Sequence, residues 1–227
     1  MSSASRNNPP RATPASVMGL YSWTMPEAPL VWIDCEMTGL DLTTDALIEV
    51  ACIVTDSQLT PLGPGLNVVI KPSPEALEAM SDFVRDMHVT SGLLPELDSG
   101  IDMAEAQQLL IDHVTSQTKG VRAPLAGNTV GMDKAFLDRD MPQLMELLHY
   151  RVVDVSSIKE LVRRWYPRVF FNAPAKTGGH RALGDIEDSI RELRYYRETI
   201  FAAAPGPDTD SARSAAASVV DADASAP

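Results

Sequence analysis

Three apolar runs rich in Val and Ile come early in the chain: Leu30–Cys35, Ala46–Thr55 and Leu66–Lys71. Gly, Pro, Asp and Thr separate them, and such runs read as strands. A parallel crossover takes about a dozen residues or more, so gaps this short favour an antiparallel meander. The chain then alternates. Helical potential over Pro74–His88 and Met103–Val114, the latter with Asp102 as its cap, leads to a short strand at Ala123–Gly127. Helices follow at Met132–Leu137 and Pro142–Leu148, then a strand at Arg151–Val155 and a helix at Ser156–Trp165. Residues Pro167–Gly179 read as a loop. From Ala182 onward, Leu183, Ile186, Ile190, Leu193 and Ile200 mark one face of a 3.6-residue helix. Strands first and alternation afterwards predict an α/β domain with a central mixed β-sheet flanked by helices.

The ends differ from the middle. Residues 1–27 are rich in Ser, Pro, Asn and Ala, and residues 204–227 are small, polar and acidic. Both read as disordered tails around a folded domain at 28–203. No apolar run approaches the ~20 residues of a membrane-spanning helix. The first residues lack the apolar core of a secretory signal. Two cysteines, Cys35 and Cys52, exclude a disulfide framework and a cysteine-rich zinc site, and make a reduced, cytoplasmic setting the expectation. The net charge of −12 argues against a broad basic track for long nucleic acid. It leaves room for a short anionic substrate held by metal ions.

Acids stand at three telling places. The first strand runs directly into Asp34 and Glu36. Alternate residues of a strand share a face, so the two carboxylates project together and repel unless a cation sits between them. Asp133 falls in the first turn of a helix that follows a strand and a Gly-containing turn, where sites in α/β sheets gather. Asp185 lies beside Ile186 on the inward side of the last helix, and His180 precedes it after a Gly-Gly loop. Taken singly, each has an ordinary reading: an acidic turn, a charge complementing a helix dipole, a loop histidine. Together, four acids and a histidine from a strand, two helix starts and a loop suit phosphodiester hydrolysis with two divalent cations, Mg²⁺ or Mn²⁺. A mobile histidine would deprotonate the attacking water.

The segments WIDCEMTGLD, AGNTVGMDKAFLDRDMP, HYRVVDVSSIKELVRRWYP and HRALGDIEDSI closely resemble the oligoribonuclease family of DEDD 3′-to-5′ exonucleases, the subclass with a catalytic histidine. The resemblance runs from about Pro29 to Phe201. It implies a ribonuclease H-like fold, with Asp34, Glu36, Asp133 and Asp185 as metal-site acids and His180 as general base. It also implies substrate contacts. Leu40 would wedge against the bases, Phe83 would stack on one, and His88 would lie near the substrate. Thr129, Arg151 and Ser156 would cap a 5′ phosphate, with Tyr150 supplied by the other subunit of a homodimer. Thr129 stands where Ser is usual, and Gly184 where an acid is common. The substrates so implied are short RNA oligonucleotides, above all 5′-phosphorylated dinucleotides. A general 3′-to-5′ exonuclease for longer RNA or DNA would share the acids and His180 but lack the cap. A non-catalytic nucleic-acid-binding module would tolerate loss of an acid, and here all four are present.

Overall fold

The computed structural model describes residues 28–224. The tail expected at 1–27 lies outside the described residues. Five strands form one sheet: β1 (Leu30–Met37), β2 (Leu47–Thr55), β3 (Leu66–Val69), β4 (Pro124–Gly127) and β5 (His149–Asp154), in the order β3-β2-β1-β4-β5. The meander is present: β1 pairs antiparallel with β2, and β2 with β3. β4 and β5 then extend the other side of β1 in parallel. The sheet is therefore mixed, with β1 at its centre.

Among the described residues, nine α-helices accompany the sheet: α1 (Pro74–Ala79), α2 (Asp82–Thr90), α3 (Met103–Thr118), α4 (Gly131–Asp140), α5 (Pro142–Leu147), α6 (Val155–Trp165), α7 (Pro167–Phe171), α8 (Ala182–Thr199) and α9 (Thr209–Ala224). One buried cluster joins Val31, Ile33 and Cys35 of β1 to residues of α3, α4 and α5. A second joins Trp32 of β1 to Val155 and Val162 of α6 and to Ala182, Ile186 and Ile190 of α8. β1 is thus buried on both faces, as its unbroken apolar start requires.

Four segments differ from the sequence reading. The stretch Pro74–His88 is two helices, because Ser73 and Ser81 each cap one: their side chains accept from the Ala76 and Val84 amides. A short 3-10 helix spans Leu94–Ser99. The expected loop at Pro167–Gly179 opens with α7, started by Pro167 at a position where a proline's missing N–H costs nothing. The acidic C-terminal segment, expected to be disordered, forms α9 instead. Asp208 caps it, accepting from the Ser211 amide at 2.7 Å, and the run Ala215–Ala217 has the highest helix propensity available. Its described side chains are exposed, so propensity and capping, not packing, account for it.

Candidate active site

The face of β1 that carries Asp34 and Glu36 is the one on which α8 packs, through Trp32. Asp185, in the first turn of α8, is brought over the two β1 acids by that packing. Asp133 arrives from the neighbouring strand: β4 runs parallel to β1 and ends just before α4, whose first turn holds Asp133. Its Oδ1 accepts the Cys35 amide at 3.0 Å, which fixes α4 against the end of β1. His180 follows Gly179, and both adopt left-handed backbone, with φ of 60° and 67°. Asp34, Glu36, Asn128, Lys176, His180 and Asp185 together line a cleft of about 480 Å³. Ligand atoms of Glu36, His180 and Asp185 lie within 4.8 Å of one another. A second cavity, of about 420 Å³, lies between Leu30, Leu193 and Phe201 at the opposite end of β1 and holds none of these acids.

The loop that bears His180 lies flat on the start of α8. A side chain at Gly178 would meet Asp185 Oδ1 at 2.5 Å, and one at Gly184 would meet the Gly178 Cα at 2.9 Å. Glycine at 184, where the oligoribonuclease pattern commonly has an acid, is therefore matched to glycine at 178.

The acids of this region fall into two groups. Glu49 accepts from the Ala182 amide at 2.9 Å and from Arg181 Nη2 at 2.7 Å. Glu192 accepts from Tyr196 and Asn128 and pairs with Lys159 at 3.0 Å. Asp188 takes the Gly178 amide at 2.7 Å and pairs with Arg191. These buried carboxylates are satisfied by the protein, as burial demands. Among the described residues, the carboxylates of Asp34, Glu36 and Asp185 have no hydrogen-bond or ion-pair partner. The consequence appears in their protonation. Burial, then the charges of Asp133, Asp185 and Glu36, push Asp34 up to about 9. Burial and the charges of Asp185 and Glu49 push Glu36 up to about 8. Burial lifts Asp133 to about 6, held back by backbone N–H groups including that of Cys35. Burial also raises Asp185, opposed by Lys176 and His180. A group of acids that cannot all ionise without compensation, and that presents only oxygen donors and one imidazole, fits hard divalent cations.

A pH dependence follows. Asp34 and Glu36 keep their protons to about pH 9 and 8 in the folded chain but lose them near pH 4 when unfolded. Between those limits the folded chain binds more protons, so stability falls as pH rises. In chelator, the melting temperature is expected to drop by at least ~3 °C between pH 5.5 and 8.5. Adding Mg²⁺ or Mn²⁺ at pH 8.5 should recover it. A melting temperature that rises with pH in chelator would contradict this account of the acids.

The remaining expected site residues are spread more widely. Leu40, 68% exposed, stands just past the end of β1, and Phe83, 80% exposed, lies in the first turn of α2. His88 is fully buried: its Nε2 bonds the Met37 carbonyl at 2.9 Å and its Nδ1 has no partner. It sits under the end of β1 rather than on an open surface. Thr129 and Ser156 meet at one atom, Asp154 Oδ1, which accepts both backbone amides and the Ser156 hydroxyl. Tyr150 and Arg151 are exposed on β5, the edge strand, with Arg151 Nε donating to the Tyr150 hydroxyl at 3.1 Å. β5 lies two strands from β1, and the pairing puts Tyr150 several residues behind the level of Asp34. With strands ~4.8 Å apart and ~3.3 Å per residue, the separation is roughly 15 Å, so these two side chains do not join the acids of their own chain. The sequence reading missed Asn128 and Lys176 as cleft residues. Their signals were position: Asn128 directly follows β4, and Lys176 lies four residues before His180 in the same loop.

The RNase_T exonuclease family model matches residues 31–193. The oligoribonuclease of Leifsonia xyli subsp. xyli is 57% identical over 193 residues, covering 85% of this chain and 93% of its own. That of Streptomyces coelicolor is 59% identical over 189 residues, covering 83% and 94%. That of Cutibacterium acnes is 60% identical over 181 residues, covering 79% and 90%. Among solved structures, exonuclease I of Methylocaldum szegediense superposes with a TM-score of 0.58 at 21% identity over 76% of this chain. The zinc-bound E. coli exonuclease I–single-stranded DNA complex gives 0.59 at 14% over 77%. In both cases the chain spans 41% of the matched structure's length. The structural likeness shows the fold: a ribonuclease H-like arrangement of a mixed sheet between helices.

Proposed function

The chain belongs to the RNase_T exonuclease family, among its oligoribonucleases, and from that premise we propose that residues 28–203 form a metal-dependent 3′-to-5′ exoribonuclease of short RNA. The observation that carries the reading is the contrast between acids. Among the described residues, Glu49, Asp188 and Glu192 around the cleft have protein partners, whereas the buried carboxylate of Glu36 and the half-buried ones of Asp34 and Asp185, which converge with His180, have none. Asp34, Glu36, Asp133 and Asp185 would hold two divalent cations, Mg²⁺ or Mn²⁺. When bound, such ions offset charge on the attacking and leaving oxygens of an in-line displacement. The protein's own part is positional and acid–base. The β1 acids and Asp185 set where the scissile phosphate lies. His180, exposed at the cleft, accepts the proton of the attacking water at a ring nitrogen. Leu40 and Phe83 hold the terminal bases. On 5′-labelled RNA of two to five nucleotides, product length should fall one nucleotide at a time with release of nucleoside 5′-monophosphates, and not at all in chelator. Internal cleavage products would refute the reading.

The assembly we propose is a homodimer in which Tyr150 of one chain completes the neighbour's site. The distance of Tyr150 from the acids of its own chain supports this, as do the exposed Leu161, Trp165, Tyr166 and Phe171 on and between the helices that follow β5. Neither Tyr150→Ala nor Asp185→Ala protein alone should be active. After mixing and exchange, the two should recover up to about a quarter of wild-type activity, since half the dimers are hybrids and one of their two sites is intact. No recovery from exchanged hybrids would refute sharing. No described helix is long and apolar enough to cross a membrane. Cys35 and Cys52 are buried and unpaired, which supports the cytoplasmic setting.

A further inference from the structure

His180 poses a mechanical problem. It is exposed, in left-handed backbone, and next to a left-handed glycine, yet a general base must stay within hydrogen-bond reach of its water. The structure holds the chain on both sides of it. Downstream, Arg181 donates through Nε and Nη2 to Glu49 Oε1, at 3.0 and 2.7 Å, and through Nη1 to Glu96 at 2.9 Å. Upstream, one carboxylate makes most of the holding bonds, joined by Arg191, whose Nη1 donates to Thr177 Oγ1 at 3.4 Å. Asp188 Oδ2 accepts the backbone amides of Thr177 and Gly178, the latter at 2.7 Å. Its Oδ1 accepts the Thr177 hydroxyl at 3.1 Å and the Arg191 guanidinium. Only Gly179 and His180 lie between the two anchors.

We propose that Asp188 is a positioning residue for the general base, clamping the His180 loop to the helix that carries Asp185. This rests on the proposed role of His180. Asp188 lies three residues beyond Asp185 on α8 and is 4% exposed, so it cannot yield without moving the helix. Burial would raise its pKa, but the loop amides and hydroxyl outweigh burial and hold it below the ordinary carboxylate range. The clamp therefore stays charged at neutral pH. Gly178, with its side-chain space taken by Asp185, lets the loop come close enough to be gripped. Glu49 anchors the other side, but it also acts on Glu36 and Asp185 through its charge, so its removal would disturb the acids directly. Asp188 also touches Asp185 electrostatically. Its test must therefore separate an effect on the base from an effect on metal binding.

A double-mutant cycle with His180 makes that separation. A misplacement of about 1 Å can cost ~10²-fold in rate. Asp188→Ala should lower kcat on a dinucleotide by about 10- to 100-fold, with KM and the Mg²⁺ concentration for half-maximal rate changed less than about threefold. In a His180→Ala background the same substitution should cost less than about twofold, because there is no base left to misplace. Asp188→Asn, close in volume, carries the cycle if the alanine variant fails to fold. An equal rate loss in both backgrounds, an unchanged kcat, or a shift confined to the Mg²⁺ requirement overturns the proposal. If His180→Ala itself keeps wild-type turnover, the assigned base is wrong and the reading of the site fails before that of Asp188.

Discussion

Replacing Asp34 by alanine is expected to reduce turnover at least ~10³-fold while raising the melting temperature of the chelated protein. The two effects have one origin. Asp34 is half-buried at the end of the central strand and, among the described residues, faces Asp133, Asp185 and Glu36 without a hydrogen-bond partner. In the cation-free protein it is a destabilising neighbour, and removing it relieves its companions. In the working enzyme it is a ligand. Loss of metal stabilisation worth several kcal/mol slows the reaction about tenfold for each ~1.4 kcal/mol. Rates at saturating Mg²⁺ or Mn²⁺, together with thermal unfolding in chelator, read both signs. A merely structural Asp34 gives the reverse pattern: lower stability and turnover reduced only by unfolding. Activity within tenfold of wild type would remove Asp34 from the metal site.

What the sequence could reveal about this site depends on how local each cause was. Asp34 and Glu36 were legible because the strand period alone places them on one face, and the apolar residues before them fix the strand. The last helix was legible from its apolar spacing, and with it the inward side on which Asp185 lies. Helical spacing alone could not separate Asp185 from Asp188 and Glu192; the resemblance did. All three lie on the core-facing part of α8, and only tertiary partners distinguish the satisfied acids from the open one. His88 shows the same limit. Resemblance puts it near substrate, whereas its burial and its bond to the Met37 carbonyl depend on how α2 packs under β1. The split of Pro74–His88 had a local signal in the second serine cap, Ser81, which a continuous helical reading passed over. The order of the sheet is different again. Its first half follows from short gaps, but the parallel placement of β4 and β5 is set by long-range pairing.

Substrate length should be the property most sensitive to Arg151. Its guanidinium makes one intramolecular bond, through Nε to the Tyr150 hydroxyl, and among the described residues its terminal nitrogens have no partner. Thr129 and Ser156 are held together by their shared bonds to Asp154 Oδ1, directly after the cleft residue Asn128. A guanidinium and hydroxyls in this arrangement suit a terminal phosphate. If they close over a 5′ phosphate two nucleotides from the reacting 3′ end, a dinucleotide makes every bond and a longer chain forfeits them. Each charge-assisted bond contributes ~1.5–3 kcal/mol, so two give a preference of about 10²–10⁴ in kcat/KM for 5′-phosphorylated dinucleotides over ten-residue RNA. Arg151→Ala should remove most of that preference by slowing the dinucleotide reaction, while the ten-residue rate changes less than about threefold, because the longer chain never engaged the cap. Time courses below saturation on two-, five- and ten-residue RNAs decide the matter. Equal rates for the wild-type protein would leave the metal chemistry intact and mark the chain as a general exonuclease instead.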